Sequence, residues 1–314
     1  MRDAARIRPF GMRRGWWLGR RILVAALLLF AVASCSPKPE ISVAPPEDEA
    51  LTRALAACCA SSDRYPIGLV KVVEGAAGSL VPFSRGVVLR DPYLQGKARA
   101  YDRLLSQARP LDLLLIANKA HLSGAAGTGH FGHSMLYIGT EADLRALGVW
   151  NHPAVVPFQA RVRAGGLAIE AIDKAVRLAG PEQVMDSDAT ALFRPQGLSR
   201  AQKQRAVIYL FKQIGTPFDI HFDLDTDEAL FCTELIDKAL PEMGLPVNIA
   251  YGRRVIWPDE VATRSLLGKT GFRFLTYIRG TRMGWREAGW RQMAVDILAA
   301  WPEVPAPFLA VSAR

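Results

Sequence analysis

The sequence predicts an α+β fold in which short strands and amphipathic helices surround one candidate cysteine. Apolar residues at helical spacing follow Cys232 directly, so this thiol is expected in the first turn of a helix. The segments 132–139 and 166–172 are rich in β-forming residues and predict two strands. The segment 198–214 has a capping residue, Ser199, and regularly spaced apolar residues, which predict a long helix.

Residues 1–34 have the composition of an export signal. Arginines crowd residues 1–21, and the apolar run that follows at 22–34 is short for a membrane span. Small residues then precede Cys35, as in the bacterial lipobox, where the cysteine is lipidated and becomes the mature N-terminus. We expect Sec export and a lipid anchor in the bacterial cell envelope, at the outer membrane facing the periplasm. An uncleaved signal anchor is the alternative.

Most of the positive charge belongs to this signal. Loss of residues 1–34 would remove seven arginines and one aspartate and lower the formal net charge from +9 to +3. No basic stretch with interleaved aromatic residues remains, so no nucleic-acid partner is expected. The rest is long enough to bury a core. The predicted organisation is a tether and N-terminal extension (35–97), a catalytic domain (98–280) and a C-terminal amphipathic helix (281–314).

Further elements of the catalytic domain follow from local patterns. Helices are predicted at 98–107, at 141–147 and from Trp257 onward, and strands at 112–116, 155–158, 190–194 and 272–278. The Gly- and Ala-rich segment 121–129 is expected to be a mobile flap over the site. The Trp-rich tail is expected to pack on the domain, with contact to a membrane surface as the alternative.

Three residue types supply the parts of a nucleophilic site. A helix N-terminus favours a thiolate at Cys232, although a buried core cysteine is the simpler interpretation. His133 begins one predicted strand and can act as a base, and Glu170 places a carboxylate inside another. The acidic residues around Cys232 are expected to face solvent or to cap the helix. His130 and His133 invite a zinc site, but a strand would place them on opposite faces; no metal or cofactor is expected.

The motifs that carry these residues resemble one family. Gly-His-Ser before a Leu-Tyr-Ile-Gly strand, an Ile-Glu-Ala strand, and Phe-Cys-Thr-Glu-Leu-Ile opening a helix are similar to the permuted papain-like hydrolases of the YiiX and YaeF type. These are relatives of the NlpC-type cell-wall peptidases and of lecithin:retinol acyltransferase. The turn at 215–219 also resembles the family, whereas Asp112 matches its strand Gly-Asp only loosely. The resemblance spans about residues 110–262.

The resemblance implies an antiparallel sheet packed against the cysteine-bearing helix. It also implies Cys232 as nucleophile, His133 as base and Glu170 as the group that orients the imidazole. The expected activity is cleavage of an amide or ester bond through a thioacyl intermediate, with a cell-envelope peptide or an N-acyl compound as substrate. Phe218, Phe222 and Tyr137 are candidate cleft residues. An acyltransferase of the lecithin:retinol type and a catalytically inactive envelope-binding lipoprotein are the alternatives.

Overall fold

The computed structural model of the protein describes residues 48–59, 71, 75, 83–84, 86–127, 129–226 and 228–301. All of them belong to one unit of the chain, Ile41–Arg314. The predicted signal peptide, Cys35 and most of the predicted tether lie outside the described residues. Within the described ranges, no helix is both long enough and apolar enough to cross a membrane.

Strands and helices alternate irregularly along the described chain. The strands are β1 (Leu113–Ala117), β2 (His133–Tyr137), β3 (Ala168–Ile172), β4 (Ala175–Ala179), β5 (Ala189–Pro195), β6 (Asn248–Ala250), β7 (Arg253–Val255), β8 (Phe272–Thr281) and β9 (Gly284–Ala288). The α-helices are α1 (Glu49–Ala57), α2 (Ala98–Leu105), α3 (Leu122–Ala126), α4 (Glu141–Leu147), α5 (Gln159–Arg163), α6 (Pro181–Met185), α7 (Arg200–Gln213), α8 (Cys232–Ala239), α9 (Pro258–Leu266) and α10 (Trp290–Ala299). Short 3-10 helices lie at Val156–Phe158 and Pro241–Met243.

A seven-stranded antiparallel sheet organises the fold, with strand order β4-β3-β2-β1-β5-β8-β9. Its central strand, β1, is buried at every position, because helices cover both faces of the sheet. Alternate residues of β1 therefore enter different cores. Leu113 and Leu115 join the larger core beneath α7 to α10, and Leu114 and Ile116 join the smaller core beneath α2.

The sheet opens between two of its central strands. β2 and β3 are paired at Leu136↔Ile169 and Tyr137↔Ala168, and this pairing does not extend to His133 at the beginning of β2. Helix α8 contacts both strands. The first turn of α8 therefore lies where the two strands separate.

The α+β class with a large antiparallel sheet is confirmed, and most predicted elements are present within a few residues of their expected positions. The predicted strand at 155–158 is wrong, since this segment forms a 3-10 helix that continues into α5. The segment 121–129 contains α3. In the tail, a single helix was expected, but β9 pairs with β8 before α10 begins.

The ends of the described chain pack on each other. Helix α1 contacts α9 and α10, and Trp290 and Met293 of α10 are buried in the larger core. A disulfide joins Cys58 and Cys59 just after α1, where Cys59 has a left-handed φ of 73° that no α-helix allows. Among the described cysteines, Cys232 is the free one.

Candidate active site

Cys232 is the first residue of α8, as the apolar spacing predicts. Its residue surface is only 6% exposed. The backbone N–H of Phe231 donates to Glu234 Oε2 at 3.3 Å, and Lys238 Nζ lies 2.9 Å from Glu234 Oε1. The acidic residue nearest the thiol in sequence is thus a helix cap with its own cation, which agrees with the capping prediction although Glu234 is buried.

His133 lies at the beginning of β2 and bridges two partners. Its Nε2 is 2.7 Å from Glu170 Oε2 on β3, and the Cys232 thiol lies close enough to the imidazole to raise its pKa. Because Nε2 is engaged by the carboxylate, Nδ1 is the ring nitrogen left for the thiol. The three residues predicted from separate motifs are therefore brought together at one place in the fold.

The opening between β2 and β3 lies at this cluster. Where the two strands separate, the His133 and Glu170 side chains span the gap and the first turn of α8 reaches them.

Glu170 is itself held by a residue that the motifs did not reveal. Arg177 on β4 is the direct cross-strand neighbour of Glu170, and its Nε donates to Glu170 Oε1 at 2.8 Å. The Glu170 side chain is 1% exposed, so without this cation and the imidazole it would be a buried, uncompensated charge. Each carboxylate oxygen has its own donor, which fixes the orientation of the group.

The pKa values of His133, Cys232 and Glu170 are set by their interactions with one another. Burial lowers the pKa of His133, but its hydrogen bonds to Cys232 and Glu170 outweigh burial and raise that pKa to about 9. Burial raises the pKa of Cys232, yet the hydrogen bond and charge of His133 hold it below its ordinary value. The Glu170 pKa is likewise lowered, because His133 and Arg177 outweigh its burial. The arrangement favours a thiolate paired with an imidazolium.

Ser134 is a second site residue that sequence reasoning missed. Its backbone N–H and its side chain both lie near the Cys232 sulfur and lower the pKa of the thiol. The Ser134 Oγ is buried and forms no hydrogen bond with the described residues, so it acts on the sulfur as a nearby dipole. The Gly-His-Ser motif contains Ser134, but the motif alone does not reveal that this residue lies beside the Cys232 sulfur.

The thiol opens into a cleft of about 950 Å³. Cys232, His133 and Glu170 contribute to its lining, together with the predicted cleft residues Phe218 and Phe222. Parts of the 121–129 segment, including His121 and Gly124, line the same cleft, in the position that we expected of a flap.

Tyr137, the third predicted cleft residue, lies elsewhere. It is 5% exposed and packs in the smaller core. It lies four residues along β2 from His133, about 13 Å at the rise of a strand, so the tyrosine cannot reach the cleft. Asp112 lies toward the same end of the sheet, where it is buried against Arg194 with atoms 2.7 Å apart, in a structural role.

A second buried cluster holds the segment that leads into His133. Asp259, in the first turn of α9, accepts the backbone N–H of His130 at 2.6 Å and of Phe131 at 2.7 Å. The indole N–H of Trp301 donates to the same carboxylate at 2.6 Å. Gly129 has φ +80°, and a Cβ built on it would lie 2.3 Å from Asp259 Oδ2, so glycine is required there.

His130 has a different hydrogen-bond partner from His133. Its Nε2 lies 2.8 Å from the hydroxyl of Tyr277, which in turn donates to Asp296 at 2.8 Å.

Within the described ranges, no group of three or more His, Cys, Asp or Glu side chains is arranged to hold a metal ion.

Comparison with known proteins agrees with the motif-based resemblance. Residues 107–262 match a family described as permuted papain-like amidase enzyme, YaeF/YiiX, C92 family. Searches of curated proteins and of solved structures gave no significant match. The matched segment runs from just before β1 into α9 and contains Cys232, His133 and Glu170. The chain therefore belongs, through this segment, to the permuted papain-like amidases, and it is a cysteine hydrolase.

Proposed function

We propose that the protein cleaves an amide or ester bond with Cys232 as nucleophile, His133 as general base and acid, and Glu170 as the residue that orients the imidazole. The observation that carries this proposal is the cluster of Cys232, His133 and Glu170 at the wall of one cleft, with His133 Nε2 2.7 Å from Glu170 Oε2. Geometry, ionisation and family membership all support the same assignment.

The reaction runs through a thioester. The Cys232 thiolate attacks the substrate carbonyl carbon, and a negative charge develops on the carbonyl oxygen. Backbone N–H groups in the first turn of α8, which lack partners within the helix, are suited to stabilise that oxyanion. As the C–N or C–O bond breaks, protonated His133 gives its proton to the leaving amine or alcohol.

Water completes the cycle. Neutral His133 removes a proton from water, the resulting hydroxide attacks the thioester, and the Cys232 thiolate leaves as His133 becomes protonated again. Glu170 keeps Nδ1 directed at the reacting atoms and stabilises the imidazolium in both half-reactions. Arg177 holds the carboxylate ionised.

The substrate class follows from the sequence. An export signal and a lipobox at Cys35 support a location in the bacterial cell envelope, with the catalytic domain tethered to a membrane. A cell-envelope peptide or an N-acyl compound is the substrate that fits this location. Replacing Cys35 by alanine should abolish incorporation of labelled fatty acid and release the protein from the membrane fraction.

The first test is the pH dependence of Cys232 alkylation by iodoacetamide in the full chain, read by mass spectrometry of the Cys232 peptide. An ordinary thiol titrates near pKa ~8.5, so labelling that is already fast near pH ~6 indicates a stabilised thiolate. This advantage should disappear in His133→Ala. Labelling that follows an ordinary thiol in both proteins would contradict the hydrolase assignment and favour an inactive binding protein.

Product analysis then separates hydrolysis from acyl transfer. A hydrolase releases the free acid from a p-nitrophenyl ester in water with or without an added amine. If an amine acceptor instead takes most of the acyl group at millimolar concentration, the protein is an acyltransferase that uses the same three residues.

A further inference from the structure

Three aromatic rings form one continuous wall near the thiol. The ring centroids of Phe218 and Phe222 are 5.7 Å apart, and those of Phe222 and Phe231 are also 5.7 Å apart. Phe231 immediately precedes Cys232 and is buried, whereas Phe222 is 38% exposed. The wall thus runs from the core beside the nucleophile out to the mouth of the cleft.

The backbone of Phe222 is held in an unfavourable conformation. Its φ is +54°, in the left-handed region, which a bulky side chain rarely adopts. The carboxylate of Asp219 imposes this turn by accepting the N–H of His221 at 2.8 Å and the N–H of Asp223 at 2.7 Å. Asp219 is buried, and its own N–H is bound to Leu230 O next to the nucleophile helix.

Packing alone does not explain this strain. A glycine at position 222 would adopt the same turn without steric cost, and a ring that stays more than one-third exposed recovers only part of its burial energy. Strained residues of this kind concentrate at functional sites. Ile172 and Ile256 also line the cleft and add apolar surface.

We propose that Phe222, with Phe218 and Phe231, forms a subsite for an apolar group attached next to the scissile carbonyl. The group is an alkyl chain or an aromatic side chain, and Phe222 is the residue that determines this specificity. The inference rests on the proposed function, because it takes Cys232 as the reacting atom. It adds a substrate preference that the triad does not require.

The test compares alkylation of Cys232 by iodoacetamide, N-octyl iodoacetamide and N-benzyl iodoacetamide in the full chain. All three form the same S–C bond and release iodide, so the ratio of each substituted reagent to iodoacetamide isolates apolar recognition. We expect the wild-type ratio to exceed one, and Phe222→Ala to lower it about 10-fold through loss of apolar contact. Whichever of the octyl and benzyl ratios is larger identifies the class of apolar group.

Two further variants make the test specific. Ile249→Ala removes an apolar side chain that is 61% exposed on β6 and does not line the cleft, and it should leave the ratio unchanged. Phe222→Gly should lower the ratio as much as Phe222→Ala, while its Tm stays equal to or above that of wild type, because the backbone strain is relieved.

The outcomes separate this inference from the proposed function. If Cys232 reacts with iodoacetamide as an ordinary thiol does, the triad assignment fails and the reagent ratio has no bearing on a substrate. If the thiol is activated but the wild-type ratio is near one, or Phe222→Ala and Phe222→Gly leave it unchanged, the apolar subsite is wrong and the triad stands. A fall in Tm for Phe222→Gly with an unchanged ratio would make Phe222 a structural residue.

Discussion

Two histidines three residues apart have opposite ionisation in this fold. Burial acts on both rings in the same direction, yet the pKa of His133 is raised to about 9 and that of His130 is lowered to about 4. His133 faces a thiol and a carboxylate, whereas His130 contacts the neutral hydroxyl of Tyr277. The partner therefore decides whether a buried imidazole is charged, and proximity in sequence to a reactive group does not.

The same contrast divides the carboxylates. Glu170 has an arginine and an imidazole, and its pKa is lowered. Asp259 is bound by three N–H groups and has no directly paired cation among the residues that the structure describes, and burial raises its pKa to about 6. Glu170, beside His133, is therefore suited to proton transfer. Asp259 is suited to holding the backbone of residues 130 and 131 in place.

The largest expected effect comes from exchanging the two histidines for alanine in turn. In His133→Ala the thiol regains an ordinary pKa, so its alkylation rate near pH 6 should fall roughly 100-fold. His130→Ala should change that rate less than about threefold and lower Tm instead, since it removes a buried hydrogen bond to Tyr277. If the two variants lose the same alkylation rate near pH 6, the hydrogen-bond partner does not decide which of the two imidazoles is charged.

Replacing Glu170 by glutamine sharpens the comparison by removing charge while keeping shape. In wild type, kcat/KM for a p-nitrophenyl ester should decline as pH rises through about 9, when His133 loses its proton. Glu170 favours the imidazolium, so Glu170→Gln should move this decline to lower pH and reduce kcat/KM about 10- to 100-fold.

Arg177→Ala should reduce kcat/KM less than Glu170→Gln does. It removes the cation that binds Glu170, but the hydrogen bond between Glu170 and His133 remains. If kcat/KM declines at the same alkaline pH in Glu170→Gln as in wild type, Glu170 does not act on His133 as proposed. It would then be a structural residue beside Arg177.

The smallest effect on the thiol is expected in the neighbouring cluster. Asp259→Asn should lower the free energy of unfolding by about 1–3 kcal/mol, because an amide cannot accept all three N–H groups. It should change Cys232 alkylation only a few-fold. Urea denaturation measures the free energy of unfolding. Asp102→Asn, at an exposed position of α2, is the matched control, with an expected change below about 0.5 kcal/mol.

The pH dependence of this variant follows from linkage. The folded pKa of Asp259 lies above its unfolded value, so its contribution to stability is complete below pH ~4 and is lost as pH rises through about 6. The stability difference between wild type and Asp259→Asn should therefore shrink from pH 4 to pH 7. A difference that grows over this range would show that the three N–H donors favour the ionised carboxylate more strongly than burial disfavours it.

The sequence predicted what depends on local patterns. The helix that begins at Cys232 was predicted from apolar spacing, the strand that begins at His133 from a run of β-forming residues, and the helix at 141–147 from its local pattern. The segment 155–158 was misjudged because a four-residue apolar run fits a strand and a 3-10 turn equally well. In the tail, β9 forms only because β8 supplies a partner, which local periodicity cannot reveal.

Within the site, the three chemically distinctive residues were found and their supports were not. Arg177 was within reach of sequence reasoning, since a two-residue turn after β3 folds β4 back and sets Arg177 opposite Glu170. Asp259 looked like an ordinary acid in the first turn of a helix. Its partners at 130, 131 and 301 are distant in the chain, so only the assembled fold brings them together.

The bond between Trp301 and Asp259 has a consequence for the order in which the molecule matures. Trp301 is the last described residue, and it touches the same carboxylate that holds the segment entering His133. Synthesis proceeds from the N-terminus, so the nucleophile, the imidazole and its carboxylate are all made well before this tryptophan. Docking of the tail therefore completes the hydrogen bonds that hold the segment entering His133, and this contact can form only after the rest of the site has been made.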